Sequence, residues 1–162
     1  MARLPGNPTL DAVDRAILTT LQSEGRITNV ELARRVGLTA PPCLRRLHTL
    51  EDAGTIQGYH AELDASALGY STMAFALVSL RSQAENDLRE FEAHIATIPE
   101  VRECHMLNGD IDFILKIVAH DLQSFQHLLT TKLTPAPNVA SIRTSSVIRT
   151  AKDARGIPVD PA

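Results

Sequence analysis

Cysteine is scarce in this chain of 162 residues: there are two, Cys43 and Cys104. A small oxidised scaffold carries more, so disulfides do not organise this fold, although a single bond between the two stays open. Long apolar runs are also missing. The longest, MAFALV from Met73 to Val78, falls far short of the ~20 residues that a membrane-spanning helix requires, so no membrane association is expected. The amino-terminal MARLPGNP lacks the apolar stretch of a secretory signal, and the expected compartment is the cytoplasm.

Signatures of catalysis and metal binding are equally thin. The histidines show no HxxxH spacing, and neither a GxSxG elbow nor a P-loop glycine pattern occurs. Cys104 and His105 are neighbours in an expected strand and point to opposite faces, so they cannot chelate one ion together. Cys43 falls in an apolar helical stripe, which makes it a core residue rather than a nucleophile. No metal, no cofactor and no enzymatic activity are expected.

What the chain does have is 44% hydrophobic residues, enough for one good core or two small ones. Its formal net charge of -3 hides an asymmetry. Residues 1–60 hold seven arginines against six acids, whereas residues 61–162 hold nine basic and thirteen acidic side chains. Between Arg26 and Leu50 five arginines face only Glu31, a local +4. Such a segment suits a polyanion, and it also suits an ordinary solvated helix surface.

Three helices are expected in the first 60 residues. In DAVDRAILTTLQSEG, from Asp11, the stripe is Val13, Ile17, Leu18 and Leu21, and Gly25 is the stop. In TNVELARRVG, Thr28 and Glu31 have capping-box spacing, Leu32, Ala33 and Val36 form the stripe, and Gly37 ends it. Thr39 is then expected to cap a third helix with Pro41 and Pro42 in its first turn, where missing N–H groups had no intrahelical partner. At ~100° per residue, Cys43, Leu44, Leu47 and Leu50 gather on one side. Pro41, Pro42, Arg45 and Thr49 point the other way, flanked by Arg46 and His48. Gly54 closes the helix, and the alternation in GTIQGYHAEL suggests a strand leaving the unit.

Helix, short helix, tight turn and helix make a helix-turn-helix, whose last helix lies in the DNA major groove. Outward arginines then meet phosphates or guanine edges, the helix start adds a phosphate site, and Thr28 and Thr39 offer hydroxyls. Small three-helix units also serve as assembly modules, so the pattern alone leaves both open.

The second half reads as strand, helix, strand, strand, helix, strand. TMAFALVSLR from Thr72 is apolar on both alternating faces, as expected of a strand covered on each side, and Ser82 with Glu85 has capping-box spacing before a helix whose stripe is Leu88, Phe91, Ile95 and Ile98. VRECHMLN and DFILKIVA are strands joined at a GD turn, Asp121 caps LQSFQHLLTTKL, and Val139 to Thr150 is the last strand. This βαββαβ order is the ferredoxin-like arrangement. Two helices cover only one face of a four-stranded sheet, so the apolar residues on the other face need a partner, most economically a second copy. A two-fold dimer presents two recognition helices and calls for a roughly palindromic operator on double-stranded DNA.

From Leu10 to Tyr59 the sequence LDAVDRAILTTLQSEGRITNVELARRVGLTAPPCLRRLHTLEDAGTIQGY strongly resembles the amino-terminal domain of the Lrp/AsnC family of bacterial and archaeal transcription factors. The likeness continues through ECHMLNGDIDFILKI and IRTSSV, so nearly the whole chain is covered. The resemblance implies an α+β chain: a winged helix-turn-helix over residues 1–60, a linking strand near 55–64, and a ferredoxin-like domain over 65–162. The family calls the latter the regulation-of-amino-acid-metabolism (RAM) domain. It fits the outward face already read, which makes Thr28, Thr39, Pro41, Pro42, Arg45, Arg46, His48 and Thr49 the expected DNA contacts. It further implies homodimers through the sheets, assembly into rings of eight, and regulation by an amino-acid effector. His48 and Thr49 stand where relatives are more basic, which bears on the operator sequence.

LNGDIDF, Leu107 to Phe113, is the expected effector loop. An amino acid offers an ammonium, which carboxylates accept, and a carboxylate, which backbone N–H groups beside a glycine can hold. The family's pocket lies between dimers around this loop, which carries over to Gly109, Asp110 and Asp112, and to Thr144 and Ser145 on the last strand. Without the resemblance Asp110 is a turn residue and Asp112 a solvated strand start. An alternative of another class is a small-molecule-binding or catalytic module that uses Asp110 and Asp112, with the helical unit serving assembly only. The end segments MARLPGNP and KDARGIPVDPA are expected to be mobile, with Arg3 a candidate DNA arm.

Overall fold

In a computed structural model, which describes residues 10–154 and 156–160, the chain divides into two compact units. The described residues up to 62 group with those from 152 onward, and residues 63–151 form the second unit. The closing segment thus differs from its expected place in the second unit. Arg15 Nη1 donates to the Asp160 carbonyl at 3.1 Å, and Gly156, at φ 72°, lies against Gln22. Arg3 lies outside the described residues.

The first unit holds α1 (Ala12–Ser23), α2 (Asn29–Arg35) and α3 (Ala40–Asp52). A capping box starts α1: Asp14 N donates to Asp11 Oδ1 at 2.9 Å and Asp11 N to Asp14 Oδ2 at 3.2 Å. For α2 only half of the expected box forms. Thr28 accepts from Glu31 N at 3.3 Å, but the Glu31 carboxylate is taken by Arg34 and Arg35. Gly37, at φ 72°, closes α2: Leu38 N donates to Ala33 O and Gly37 N to Arg34 O, the two bonds of a Schellman motif. Gly54, at φ 70°, closes α3 through Gly54 N to Glu51 O and Thr55 N to Leu50 O. Ile17, Leu32, Ala33, Cys43 and Leu50 are buried together, with Val13, Leu18, Leu21, Val36, Leu38 and Leu47 packed around them.

The expected strand near 55–64 does not pair with any other among the described residues. Alternating side chains supply a pattern, but a strand exists only where another edge accepts its backbone bonds.

In the second unit β1 (Thr72–Leu80), α4 (Glu85–Ala96), β2 (Val101–Met106), β3 (Phe113–Ala119), α5 (Leu122–Leu128) and β4 (Val139–Ser146) follow in βαββαβ order. The sheet runs β2-β3-β1-β4, antiparallel throughout. Register sorts its faces. Ala74, Ala76 and Val78 pair with Ile117, Leu115 and Phe113 on the buried face, which joins Leu88, Phe91, Ile95, Phe125, Leu128 and Leu133 in one core. Phe91 and Phe113 meet at 4.8 Å between ring centroids. Met73 and Leu77 pair with Val118 and Ile114 on the opposite face, where all four are only partly buried. Beside them Lys116 binds Glu103 at 2.8 Å across β3 and β2.

Two local expectations change. Ser82 and Glu85 form no capping box, because α4 begins at Glu85 with Ala84 as its cap; Ser82 Oγ accepts from Ala84 N, and its peptide is clamped by the Asn138 side chain. The last helix is α-helical only to Leu128 and continues to Leu133 as a π-helical turn. There Thr130 and Thr131 hydroxyls donate to carbonyls four residues back, a bond that competes with regular helix geometry.

Candidate nucleic-acid interface and effector loop

Helix α3 carries one buried stripe and one exposed stripe. Cys43 and Leu50 are buried and Leu47 packs beside them, while Pro41, Leu44, Arg45, His48 and Thr49 are exposed. These five fall at i, i+3, i+4, i+7 and i+8, a single face of a helix. Two expectations are corrected here. Leu44, expected to pack, is 39% exposed, because the core is narrow enough to be filled by positions 43, 47 and 50. Pro42 and Arg46 are half-buried beside the exposed stripe.

The first turn of α3 has an unusual consequence. An N-cap hydroxyl normally accepts from the N–H of the second or third helical residue, and here those residues are Pro41 and Pro42, which have none. Thr39 occupies the cap position but caps nothing, and its hydroxyl stays open to a ligand. The same prolines remove most of the N–H groups that a helix start would offer a phosphate, so that expected site reduces to Thr39 and the Ala40 N–H. Thr28 keeps its oxygen engaged with Glu31 N and its proton free. Thr49 donates to Arg45 O at 2.9 Å.

Most of the local positive charge is already answered within the unit. Arg34 and Arg35 bind Glu31, and Arg35 also reaches Glu24 at 2.6 Å. The Arg34 hydrogen bond, then that of Arg35, pulls Glu31 from 4.5 down to about 2. Arg46 Nη1 donates to Asp11 Oδ2 at 2.7 Å and to Asp14 Oδ1 at 2.8 Å, so it faces α1 rather than solvent. The Arg45 side chain has no partner among the described residues. Asn29, a position sequence reasoning passed over, donates through Nδ2 to Ala40 O at 3.0 Å and ties the start of α2 to that of α3.

In the second unit the loop between β2 and β3 is pinned by Asp112. This residue is 7% exposed; its Oδ2 accepts from Leu80 N at 2.7 Å and its Oδ1 from Gln83 Nε2 at 2.8 Å. Its backbone joins Val78 O and Leu107 N. Asp112 is therefore neither a solvated strand start nor a free acceptor: both of its oxygens are committed. Gly109 and Asp110 are exposed at the tip, and Gly109, at φ 153°, has open space where a side chain would begin. Ser145 pairs with Phe75 and Thr144 with Ala76, which puts them on opposite faces of the sheet. The structure brings Gly109, Asp110 and Asp112 into one loop and separates Thr144 from Ser145.

Both thiols are free. Burial raises Cys43 above its usual value, and burial followed by the Glu92 charge raises Cys104 to about 11. Among the described residues no cluster could hold a metal ion, and no helix is long and apolar enough to cross a membrane.

Comparison with known proteins covers both units. Residues 73–157 match the family described as the Lrp/AsnC ligand binding domain, and residues 10–57 match a winged helix-turn-helix DNA-binding family. The chain is similar to the leucine-responsive regulatory protein of Rhizobium meliloti, with 53% identity covering 90% of this chain and 93% of that protein. It is similar in structure to a transcriptional regulator of Neisseria meningitidis in complex with L-methionine, at a TM-score of 0.90 and 38% identity, covering 94% and 98% of the two chains. A feast or famine regulatory protein of Mycobacterium tuberculosis, complexed with L-methionine, superposes with a TM-score of 0.84 at 28% identity over 92% and 99%. The helix-turn-helix, the βαββαβ unit and these matches agree along nearly the whole length, and the chain belongs to the Lrp/AsnC family of transcriptional regulators.

Proposed function

We propose that this regulator reads DNA with the exposed stripe of α3 and couples that contact to an amino acid held at the Leu107–Phe113 loop. The observation that carries the reading is the stripe itself, which has an unpartnered Arg45 at its centre while the neighbouring Arg34, Arg35 and Arg46 are paired. Arg45 takes a guanine edge or a phosphate, His48 and Thr49 extend the contact, and Leu44 offers an apolar surface to a thymine methyl. Thr39 and Thr28 donate their hydroxyls to phosphate, and Pro41 with Pro42 shapes the turn that frees Thr39. At the other unit Asp110 takes the effector's ammonium and the Gly109 backbone its carboxylate, while Asp112 holds the loop. Thr144 and Ser145, facing opposite sides, border the site separately. The methionine complexes of two relatives support an amino acid as the effector.

The apolar sheet face around Met73, Phe75, Leu77, Ile114 and Val118 is where a second copy docks, giving a two-fold dimer, further assembly up to a ring of eight, and a roughly palindromic operator. A catalytic use of Asp110 and Asp112 is disfavoured, since the Asp112 carboxylate is committed to Leu80 and Gln83. On this reading the chain is a cytoplasmic regulator rather than an enzyme, and its site needs no metal or cofactor.

Affinity for operator DNA measured across a salt series tests the reading. A steep loss with salt is expected, with Arg45→Ala lowering the slope by about one and Leu44→Ala weakening binding without changing it. Affinity indifferent to salt would overturn the assignment. Light scattering tests the assembly: Leu77→Asp is expected to reduce the particle size, and L-methionine or another amino acid to shift the wild-type distribution. A size unmoved by every amino acid would overturn the coupling.

A further inference from the structure

We propose that Arg46 is a positioning residue for recognition and not a DNA contact: clamped by Asp14 and Asp11 of α1, it sets the rotation of α3 about its own axis. The proposal rests on the reading of α3 as the recognition helix. It concerns how that helix is aimed rather than whether it binds.

Three observations converge. First, the two bonds are short, 2.7 Å and 2.8 Å, and come from the same nitrogen, Nη1. Asp14 is largely covered, at 17% side-chain exposure, and Arg46 is partly covered, at 35%. Second, two carboxylates against one guanidinium leave the cluster formally negative. A phosphate approaching Arg46 would meet Asp11 and Asp14 as well, and repulsion would offset attraction. Third, the clamp sits where it controls orientation. The buried stripe of α3 rests on Cys43, Leu47 and Leu50, and Arg46 adds a polar tie to α1 on the flank of that stripe. Arg46 lies about 100° round the helix from Arg45, so fixing the former to α1 fixes the direction of the latter. Asp11 serves twice, as the N-cap of α1 and as a ligand of Arg46, so the start of α1 and the heading of α3 are set by one group.

The test compares binding of the full-length protein to two duplexes: one selected by the wild type from a random-sequence library, and one unselected duplex of the same length. Each is measured over a salt series, with thermal melts to establish that every variant is folded at the assay temperature. Arg46→Ala is expected to lose about tenfold on the selected duplex, the scale of a charged hydrogen bond, while the unselected duplex and the salt slope stay as in the wild type. Arg46→Lys is expected to recover most of the loss, because one ammonium can donate both bonds. Asp14→Asn decides the sign. It is isosteric and keeps an acceptor for Asp11 N, yet weakens the clamp. If the clamp aims α3, Asp14→Asn lowers selected-duplex affinity. If Arg46 contacts DNA, removing a nearby negative charge raises affinity for both duplexes.

Equal losses on both duplexes with a slope smaller by about one, or tighter binding by Asp14→Asn, would overturn the proposal. So would unchanged binding in both variants. A wild type that selects no duplex and shows no salt dependence is a separate failure, that of the recognition-helix reading itself.

Discussion

Asp110 and Asp112 are two residues apart and carry the same chemistry, yet they do different jobs because only one is buried. Asp112 accepts from a backbone N–H and a side-chain amide. Asp112→Ala leaves Leu80 N without a partner, and it is expected to cost about 1–3 kcal/mol, read as a lower midpoint in urea or thermal unfolding. Asp110 is exposed, so Asp110→Ala is expected to stay within about 0.5 kcal/mol of wild type while weakening amino-acid binding by calorimetry. An unchanged Asp112→Ala midpoint would remove the structural role argued for that carboxylate. Sequence alone selected both aspartates and could not separate them, because the partner atoms at Leu80 and Gln83 lie about thirty residues away.

Among the elements, the turn between α2 and α3 was readable almost residue by residue. Gly37 at the stop, Thr39 at the next cap position and two prolines in the helix that follows are local chemistry, and the structure keeps each in position although the Thr39 side chain makes no cap bond. Gly37 sits at φ 72°, with nothing within 4 Å of the point where a side chain would begin. Gly37→Ala is therefore expected to meet strain without a clash, and to lose roughly 1–2 kcal/mol, measured by denaturant unfolding. A loss well above that would mean a hidden contact. Less local features escaped. Leu44 and Arg46 lie on the flanks of the α3 stripe, where a helical wheel gives an angle but not the width of the core. The linking segment near 55–64 alternates like a strand, but pairing depends on an edge that no local pattern supplies. The π-helical turn after Leu128 reflects two consecutive threonines bonding backward, a competition that side-chain periodicity does not register.

Over the whole molecule the ion pairs set an acid limit. Glu31 is held at about 2 against an ordinary 4.5 by Arg34 and Arg35. Asp11, Glu100, Glu103 and Asp121 are also lowered, the first and last chiefly by helix-start hydrogen bonds and Glu103 by Lys116. A carboxylate whose folded value is depressed contributes stability that is present above its unfolded value and is lost as pH falls through the folded one. The melting temperature is therefore expected to be flat near neutrality and to fall from about pH 4.5 toward pH 2, with Glu31→Gln flattening part of that fall. Glu31 is only half-buried and solvent screens its pairs, so its share is small and the decline belongs to the set. A stability that rose on acidification would contradict the pairing pattern.

The sequence by itself determined the βαββαβ order, the stops and starts of the helices in the first unit, and the concentration of arginine beside a helix-turn-helix. All of these follow from contacts within a few residues: a glycine that tolerates positive φ, a proline without a donor, a period of two or of 3.6. Only the tertiary structure decided which arginines are already paired within their own unit and which aspartate is committed. Hydrogen bonds and ion pairs between distant residues depend on distance in space, and Arg46 with Asp14, thirty-two positions apart and 2.8 Å away, is the plainest case.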